Sequence, residues 1–292
     1  MVGIIVWCGV EVVLRARQMG DDKGPVGILD SGVGGLSVMN EVVRELPHED
    51  VLFFADRIHC PYGRRTHEEI QEFARGIVGF MVSQDAKIVV VACNTASAAA
   101  LQDLRGRFDV PIVGMEPALK PAAERSGSRI VGVIATEVTF QGALFASLIE
   151  RFAEGVDVMT RSCPGLVEQV EAGLVAAPTT REMLRACLAP MVDAGVDSFV
   201  LGCTHYPFLR PLMEEILGDG VEILDPSLAV ARQTARVLKK EGLLRERGKG
   251  RYAFYTSGRP DRFARMLGQL TGLRGPVLAV EWVGEAIRTV GD

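Results

Sequence analysis

At 292 residues, 48% of them hydrophobic and 24% charged, the chain is long enough for two domains with ample core. A formal net charge of −5 and the lack of a dense Lys/Arg run argue against a nucleic-acid partner; Arg57, Arg64 and Arg65 near one turn read as solvated surface. A small anionic substrate stays open, because local field rather than net charge decides its binding.

Residues 1–24 are unlike the rest. Val2 to Leu14 is apolar apart from Glu11, too short for the roughly 20 residues of a membrane span, and lacks the basic start and cleavage site of a signal peptide. The segment reads either as an added helix or strand or, preferably, as a leader ahead of a natural start at Met19.

Val26 to Leu29 is a short strand followed by Asp30-Ser31-Gly32-Val33-Gly34-Gly35-Leu36. The glycine spacing fits neither a dinucleotide fingerprint nor a P-loop, so the loop is expected to bring backbone close to a small ligand. Val51 to Ala55 is a second strand, ending at Asp56, before the turn Cys60-Pro61-Tyr62-Gly63. A helix is predicted from Thr66 to Gln84, with Ile70, Phe73, Ile77, Phe80 and Met81 on its core face and a Thr66/Glu69 capping box. Ile88 to Val91 is a buried strand that leads through Ala92 to Cys93, and the helix after it starts within Asn94-Thr95-Ala96-Ser97. Pro111 to Met115 is a fourth strand, ending at Glu116-Pro117.

The order then repeats. Arg129 to Ile134 is a strand ending near Thr136 and Thr139, Val156 to Thr160 a weaker one leading to Cys163-Pro164-Gly165, and Thr180 to Ala194 a helix with Met183, Leu184, Cys187, Leu188 and Met191 inward. Ser198 to Leu201 is a strand ending in Cys203-Thr204-His205, and Val221 to Leu224 one ending in Asp225-Pro226. Glu116 stands 23 positions after Cys93, and Asp225 22 positions after Cys203. We read a duplicated α/β unit, each half a mainly parallel sheet flanked by helices, with the active site in the cleft between the halves.

The six cysteines are widely spaced and form no CxxC pair, which suggests thiols kept free in a reducing, cytoplasmic compartment. Cys203 with His205, and His59 with Cys60, lack the paired close ligands of a structural zinc site, so no metal is expected. Cys93 and Cys203 at equivalent strand ends would face each other across the cleft. Two such groups on opposite sides of a tetrahedral carbon can invert it, one removing a proton and the other delivering one. A free thiol titrates at about 8.5 and falls at a helix start, so a thiolate is expected near neutrality. Asp30, Asp56, Glu171 and His205 are the candidates to tune the thiols, His205 foremost. Asn94, Thr95, Ser31, Thr136, Thr139 and Thr204 offer small donors for a carboxylate and an ammonium. No lysine at a strand end could hold pyridoxal phosphate, so no cofactor is expected.

Together Asp30-Ser31-Gly32-Val33-Gly34-Gly35-Leu36, Cys60-Pro61-Tyr62-Gly63, Ala92-Cys93-Asn94-Thr95-Ala96-Ser97, Glu116-Pro117-Ala118, Val133-Ile134-Ala135-Thr136, Cys163-Pro164 and Leu201-Gly202-Cys203-Thr204-His205-Tyr206-Pro207 resemble the glutamate racemases, over about residues 25–290. The resemblance implies cofactor-independent interconversion of L- and D-glutamate for peptidoglycan, with Cys93 acting on the D-isomer and Cys203 on the L-isomer. It implies supporting roles for Asp30, Asp56, Glu171 and His205, and substrate contacts from Ser31, Pro61, Tyr62, Gly63, Asn94, Thr95, Thr136, Thr139, Thr204 and His205. It also implies a homodimer, and a first domain of residues 25–116 plus 226–292 around a second of 117–225. Three positions depart from the family pattern: Arg57 replaces a small hydroxyl residue, His59 an Arg or Asn, and Gly142 a Ser. The alternatives are a racemase of another acidic amino acid, such as aspartate, and a non-catalytic amino-acid-binding regulator.

Overall fold

A computed structural model describes residues 24–290, together with the backbone of Val6–Trp7 and Val10–Glu11, which pair as an antiparallel ribbon. The reading of a leader ahead of Met19 lies outside the described residues. From Val26 the chain runs β1 (Val26–Asp30), α1 (Leu36–Glu45), β2 (Val51–Ala55), α2 (His67–Ser83), β3 (Ile88–Val91), α3 (Asn94–Arg107) and β4 (Ile112–Gly114). The strands are parallel, in the spatial order β2-β1-β3-β4. Sequences such as VLFFA and IVVV are apolar throughout because helices cover both faces of a parallel sheet, and every residue of β1, β2 and β3 is buried.

The second unit runs α4 (Leu119–Arg125), β5 (Ile130–Ala135), α5 (Glu137–Gln141), α6 (Ala143–Phe152), β6 (Asp157–Ser162), α7 (Leu166–Glu171), α8 (Pro178–Asp193), β7 (Ser198–Gly202), α9 (Arg210–Leu217) and β8 (Glu222–Leu224). Its strands are again parallel, in the order β6-β5-β7-β8. That is the order of the first unit strand for strand, as a duplication requires. The weak strand β6 is an edge strand, which is why Asp157, Thr160 and Arg161 are tolerated in it.

The chain then returns to the first sheet through α10 (Ser227–Lys240), β9 (Tyr252–Thr256), α11 (Pro260–Thr271), β10 (Val277–Val283) and β11 (Ala286–Thr289). β9 pairs with β2, β10 with β9, and β11 closes the edge antiparallel to β10. These elements were not read from the sequence pattern, since the duplication has no counterpart for them.

The capping box of α2 is formed: the Glu69 amide donates to Thr66 Oγ1 at 3.2 Å and the Thr66 amide to Glu69 Oε2 at 2.8 Å. Ile70, Ala74, Ile77, Val78, Phe80 and Met81 are its buried side chains, each worth about 1.5–3 kcal/mol when large and fully buried. α8 starts at Pro178, ahead of the predicted Thr180; proline suits the first helical turn, and the Thr180 hydroxyl bonds to the Leu174 carbonyl at 2.6 Å instead.

One expectation is overturned. Cys163, in the turn after β6, is joined by a disulfide to Cys187 on the buried face of α8, with Cα atoms 5.8 Å apart. The turn packs on the helix at a separation within disulfide range, which spacing along the chain could not reveal. Cys60, Cys93 and Cys203 are free thiols. No helix among the described residues is long and apolar enough to cross a membrane.

Candidate active site

The carboxyl ends of β1, β2 and β3 and of β5 and β7 converge on one cavity, where open α/β sheets place their ligands. Cys93 is the N-cap of α3. Its Sγ accepts the Ala96 amide at 3.4 Å and donates to Ser31 Oγ at 3.8 Å. The thiolate expected here near neutrality is not what this environment favours. Burial pushes the Cys93 thiol up to about 12, with the nearby Asp30 carboxylate adding to the rise and the Ala96 amide opposing it. One amide and a helix dipole do not offset the lost hydration of a thiolate. Asp30 accepts the Gly32 amide at 2.9 Å and the Thr204 hydroxyl at 3.1 Å, and burial raises its pKa above the usual carboxylate range.

Cys203 has different company. Its Sγ lies 3.8 Å from His205 Nδ1, and His205 Nε2 is 2.8 Å from Glu171 Oε1. Burial alone would lower His205, but hydrogen bonds to Cys203, Cys60 and Glu171 hold it well above its ordinary value. Burial likewise acts to raise Glu171, and the His205 hydrogen bond and charge, Arg57 and the Val33 amide more than reverse it. The result is a cationic imidazole held between the Glu171 carboxylate and the Cys203 sulfur.

Asp56 hydrogen-bonds to neither thiol. Its oxygens take four hydrogen bonds, from His59 (2.8 Å), Tyr62 (2.7 Å), Ser257 (2.8 Å) and Trp282 (3.0 Å). It fastens the turn 57–63 to β9 and β10, and its closest link to the cavity is Tyr62. The sequence offers it as a candidate to tune the thiols; its partners Ser257 and Trp282 come only with the chain's return to the first sheet.

Cys93, Cys203 and His205 line the cavity, as do Ser31, Pro61, Tyr62, Gly63, Asn94, Thr95, Thr136 and Thr204. Asp30, Asp56 and Glu171 lie behind this lining. Thr139 is not in the wall but bonds to Thr136 Oγ1 at 2.9 Å, and Thr136 in turn meets Thr95 Oγ1 at 2.9 Å. Asn94 is buried with both side-chain polar atoms lacking a protein partner. Such groups are rare unless they meet a ligand or water. The cavity has about 10 Å³ free, room for about one water. An outer chamber of about 220 Å³ adjoins it through Pro61, Gly63, Thr136 and Val167, with the Arg64–Glu168 ion pair in its wall.

The glycine loop serves a different neighbour from the one expected. A Cβ on Gly32 would fall 1.9 Å from Glu171 Oε1, and one on Gly34 2.4 Å from His205 Nδ1. These glycines let the loop press on side chains of the second unit rather than on a ligand directly. Sequence reading also missed Cys60 and Val167 as site residues, and its reading of Arg57 as solvated surface is overturned, since that side chain is mostly buried against Glu171. Cys60 Sγ, a Glu171 oxygen and a His205 nitrogen lie within 4.8 Å of one another, a potential metal donor set. His205, Arg57 and the Val33 amide already occupy the carboxylate, so the set is satisfied within the protein.

A family model described as Asp/Glu/Hydantoin racemase matches residues 26–234. A curated glutamate racemase of Roseiflexus sp. (strain RS-1) is 48% identical over 249 residues, 84% of this chain and 92% of the relative. The Escherichia coli glutamate racemase, solved in complex with L-glutamate, superposes with a TM-score of 0.80 at 31% identity, covering 89% of this chain and 100% of that one. The Francisella tularensis glutamate racemase, solved in complex with D-glutamate, gives a TM-score of 0.78 at 28% identity, covering 91% and 99%. The chain belongs to the Asp/Glu/Hydantoin racemase family, on its glutamate racemase branch, and is an isomerase.

Proposed function

We propose that the protein interconverts L- and D-glutamate by a cofactor-independent two-thiol route. The observation that carries the reading is a single cavity walled by Cys93 and Cys203 from equivalent strand ends of the two units. The binding of L- and of D-glutamate by the two solved relatives supports the substrate.

With L-glutamate bound, Cys203, acting as a thiolate with His205 Nδ1 3.8 Å from its sulfur, takes the α-proton. The Cys93 thiol delivers its own proton to the opposite face, giving D-glutamate, a Cys93 thiolate and a Cys203 thiol. The reverse starts from that second state. Asn94 supplies a donor and an acceptor, and the hydroxyls of Ser31, Thr95, Thr136 and Thr204 further donors, for the substrate's carboxylates and ammonium. Pro61, Tyr62 and Gly63 shape the wall, with Thr139 bracing Thr136. Asp30 acts on the Cys93 side, Glu171 and His205 on the Cys203 side, and Asp56 holds the turn that carries Tyr62.

The same reading assigns residues 25–116 plus 226–292 to the first domain and 117–225 to the second, and supplies D-glutamate for peptidoglycan. Reacting cysteines must stay reduced, which places the enzyme in the cytoplasm even though Cys163 and Cys187 are joined, and the family resemblance favours a homodimer. The deciding measurement follows the α-proton signal of D-glutamate in deuterated water. The expected result is steady loss of that signal with deuterium in the L-product; binding without exchange would refute the reading.

A further inference from the structure

We propose that Arg57 is a positioning residue for the Cys203 half of the site: it fixes the Glu171 carboxylate so that one oxygen is held for His205. The inference rests on the two-thiol reading and extends it to a residue at which the sequence departs from the family pattern.

Arg57 follows β2 and belongs to the first sheet's edge of the cleft, whereas Glu171 ends α7 in the second unit. Its side chain is only 13% exposed, so its charge needs a partner. Arg57 Nε donates to Glu171 Oε2 at 2.9 Å, Nη2 lies 2.9 Å from the same oxygen, and Nη2 donates to the Glu171 carbonyl at 3.3 Å. The planar fork thus grips one carboxylate oxygen and the backbone of the same residue. The other oxygen, Oε1, is left for the Val33 amide at 2.6 Å and His205 Nε2 at 2.8 Å. With Oε2 fixed, the carboxylate cannot rotate Oε1 away from the ring. The fold makes room for this arginine: a Cβ on Gly258, just after β9, would stand 2.9 Å from Arg57 Cβ.

Glu171 is faced by Arg57 and Cys60 from the turn after β2, the Val33 amide from the β1–α1 loop and His205 from the segment after β7, while Glu168 on its own helix pairs with Arg64. His205 is faced by Cys203, Cys60, Glu171 and Asp30. Arg57 is the cation set against the carboxylate from the first unit. Its removal raises the pH at which Glu171 protonates, so the acid limb of activity moves upward.

Enantiomers are equal in energy, so kcat/KM must match in the two directions for any variant. The half-specific effect is therefore read in single-thiol backgrounds. A Cys93→Ala protein retains Cys203 and should wash the α-proton out of L-glutamate in deuterated water; a Cys203→Ala protein should do so for D-glutamate. Adding Arg57→Met is expected to slow the first exchange by about tenfold, the loss of a charge-assisted hydrogen bond, and to leave the second unchanged. In the otherwise intact protein Arg57→Met moves the acid limb of kcat/KM to higher pH, and Arg57→Lys restores most of the shift. Equal slowing of both exchanges, no slowing of either, or Arg57→Lys behaving like Arg57→Met with a lowered melting temperature would each overturn the proposal. If neither single-thiol protein exchanges its isomer, the two-thiol reading falls and this inference with it.

Discussion

The two thiols share a cavity but not an environment, and that asymmetry is set residue by residue. Cys93 meets burial, a single amide and the Asp30 carboxylate; Cys203 meets an imidazole held protonated by Glu171. Burial therefore favours Cys93 as the proton donor, while Cys203 stands against a hydrogen-bonded His205–Glu171 pair that Cys93 lacks. Each of Cys93→Ser and Cys203→Ser is expected to cut racemisation by roughly 10²–10⁴-fold, because a serine hydroxyl holds its proton too tightly to replace a thiol in acid/base work. Following optical rotation of either enantiomer checks this, and near-native turnover by either variant would exclude the two-base scheme. The cysteines were legible in the sequence because each ends an apolar run and the pair repeats. Their proton affinities were not, because desolvation depends on what the rest of the chain places around them.

At the scale of elements, the β1–α1 loop and α7 decide the geometry behind Cys203. The loop gives its Val33 amide to Glu171, and its bare glycines let His205 and Thr204 come close. In Gly34→Ala a Cβ would stand 2.4 Å from His205 Nδ1 and 2.5 Å from Thr204 Oγ1. Forcing such an overlap costs about 1–3 kcal/mol. Denaturant unfolding is expected to show that loss, and kcat to fall with it as the ring is displaced; native values for both would show that the loop yields freely. Glycine density marked this loop as a close approach from the sequence alone. What approaches it lies some 140 to 170 positions away, at Glu171 and Thr204, and no local pattern encodes that.

For the whole molecule, the site exists only while the two units stay together. Thr204 donates to Asp30 at 3.1 Å, Ser37 to the Thr204 carbonyl at 3.1 Å, Val33 and Arg57 to Glu171, and Arg64 pairs with Glu168 over the outer chamber. The cavity these contacts enclose has room for about one water. Glu171 makes the contact between the units depend on pH. Its folded pKa lies below the ordinary 4.5, so its contribution to stability is present above that value and is lost as pH falls through the folded pKa. Thermal unfolding followed downward from pH 4.5 is expected to show a steeper loss in the unaltered protein than in Glu171→Gln. Parallel slopes would mean that Glu171 does not couple the two units.

Hydrophobic runs and their punctuation determined the strands, the repeat, the two thiols and the small polar residues at the strand ends, because each is a local pattern. Burial then decided that Cys93 rests protonated. The return of β9 and β10 to the first sheet gave Asp56 the partners Ser257 and Trp282. Contact between α8 and the turn after β6 joined Cys163 to Cys187. The apposition of two sheets set Arg57 and Val33 on Glu171. Each of these outcomes joins residues far apart in the chain through desolvation or close packing, which act only once the chain has folded.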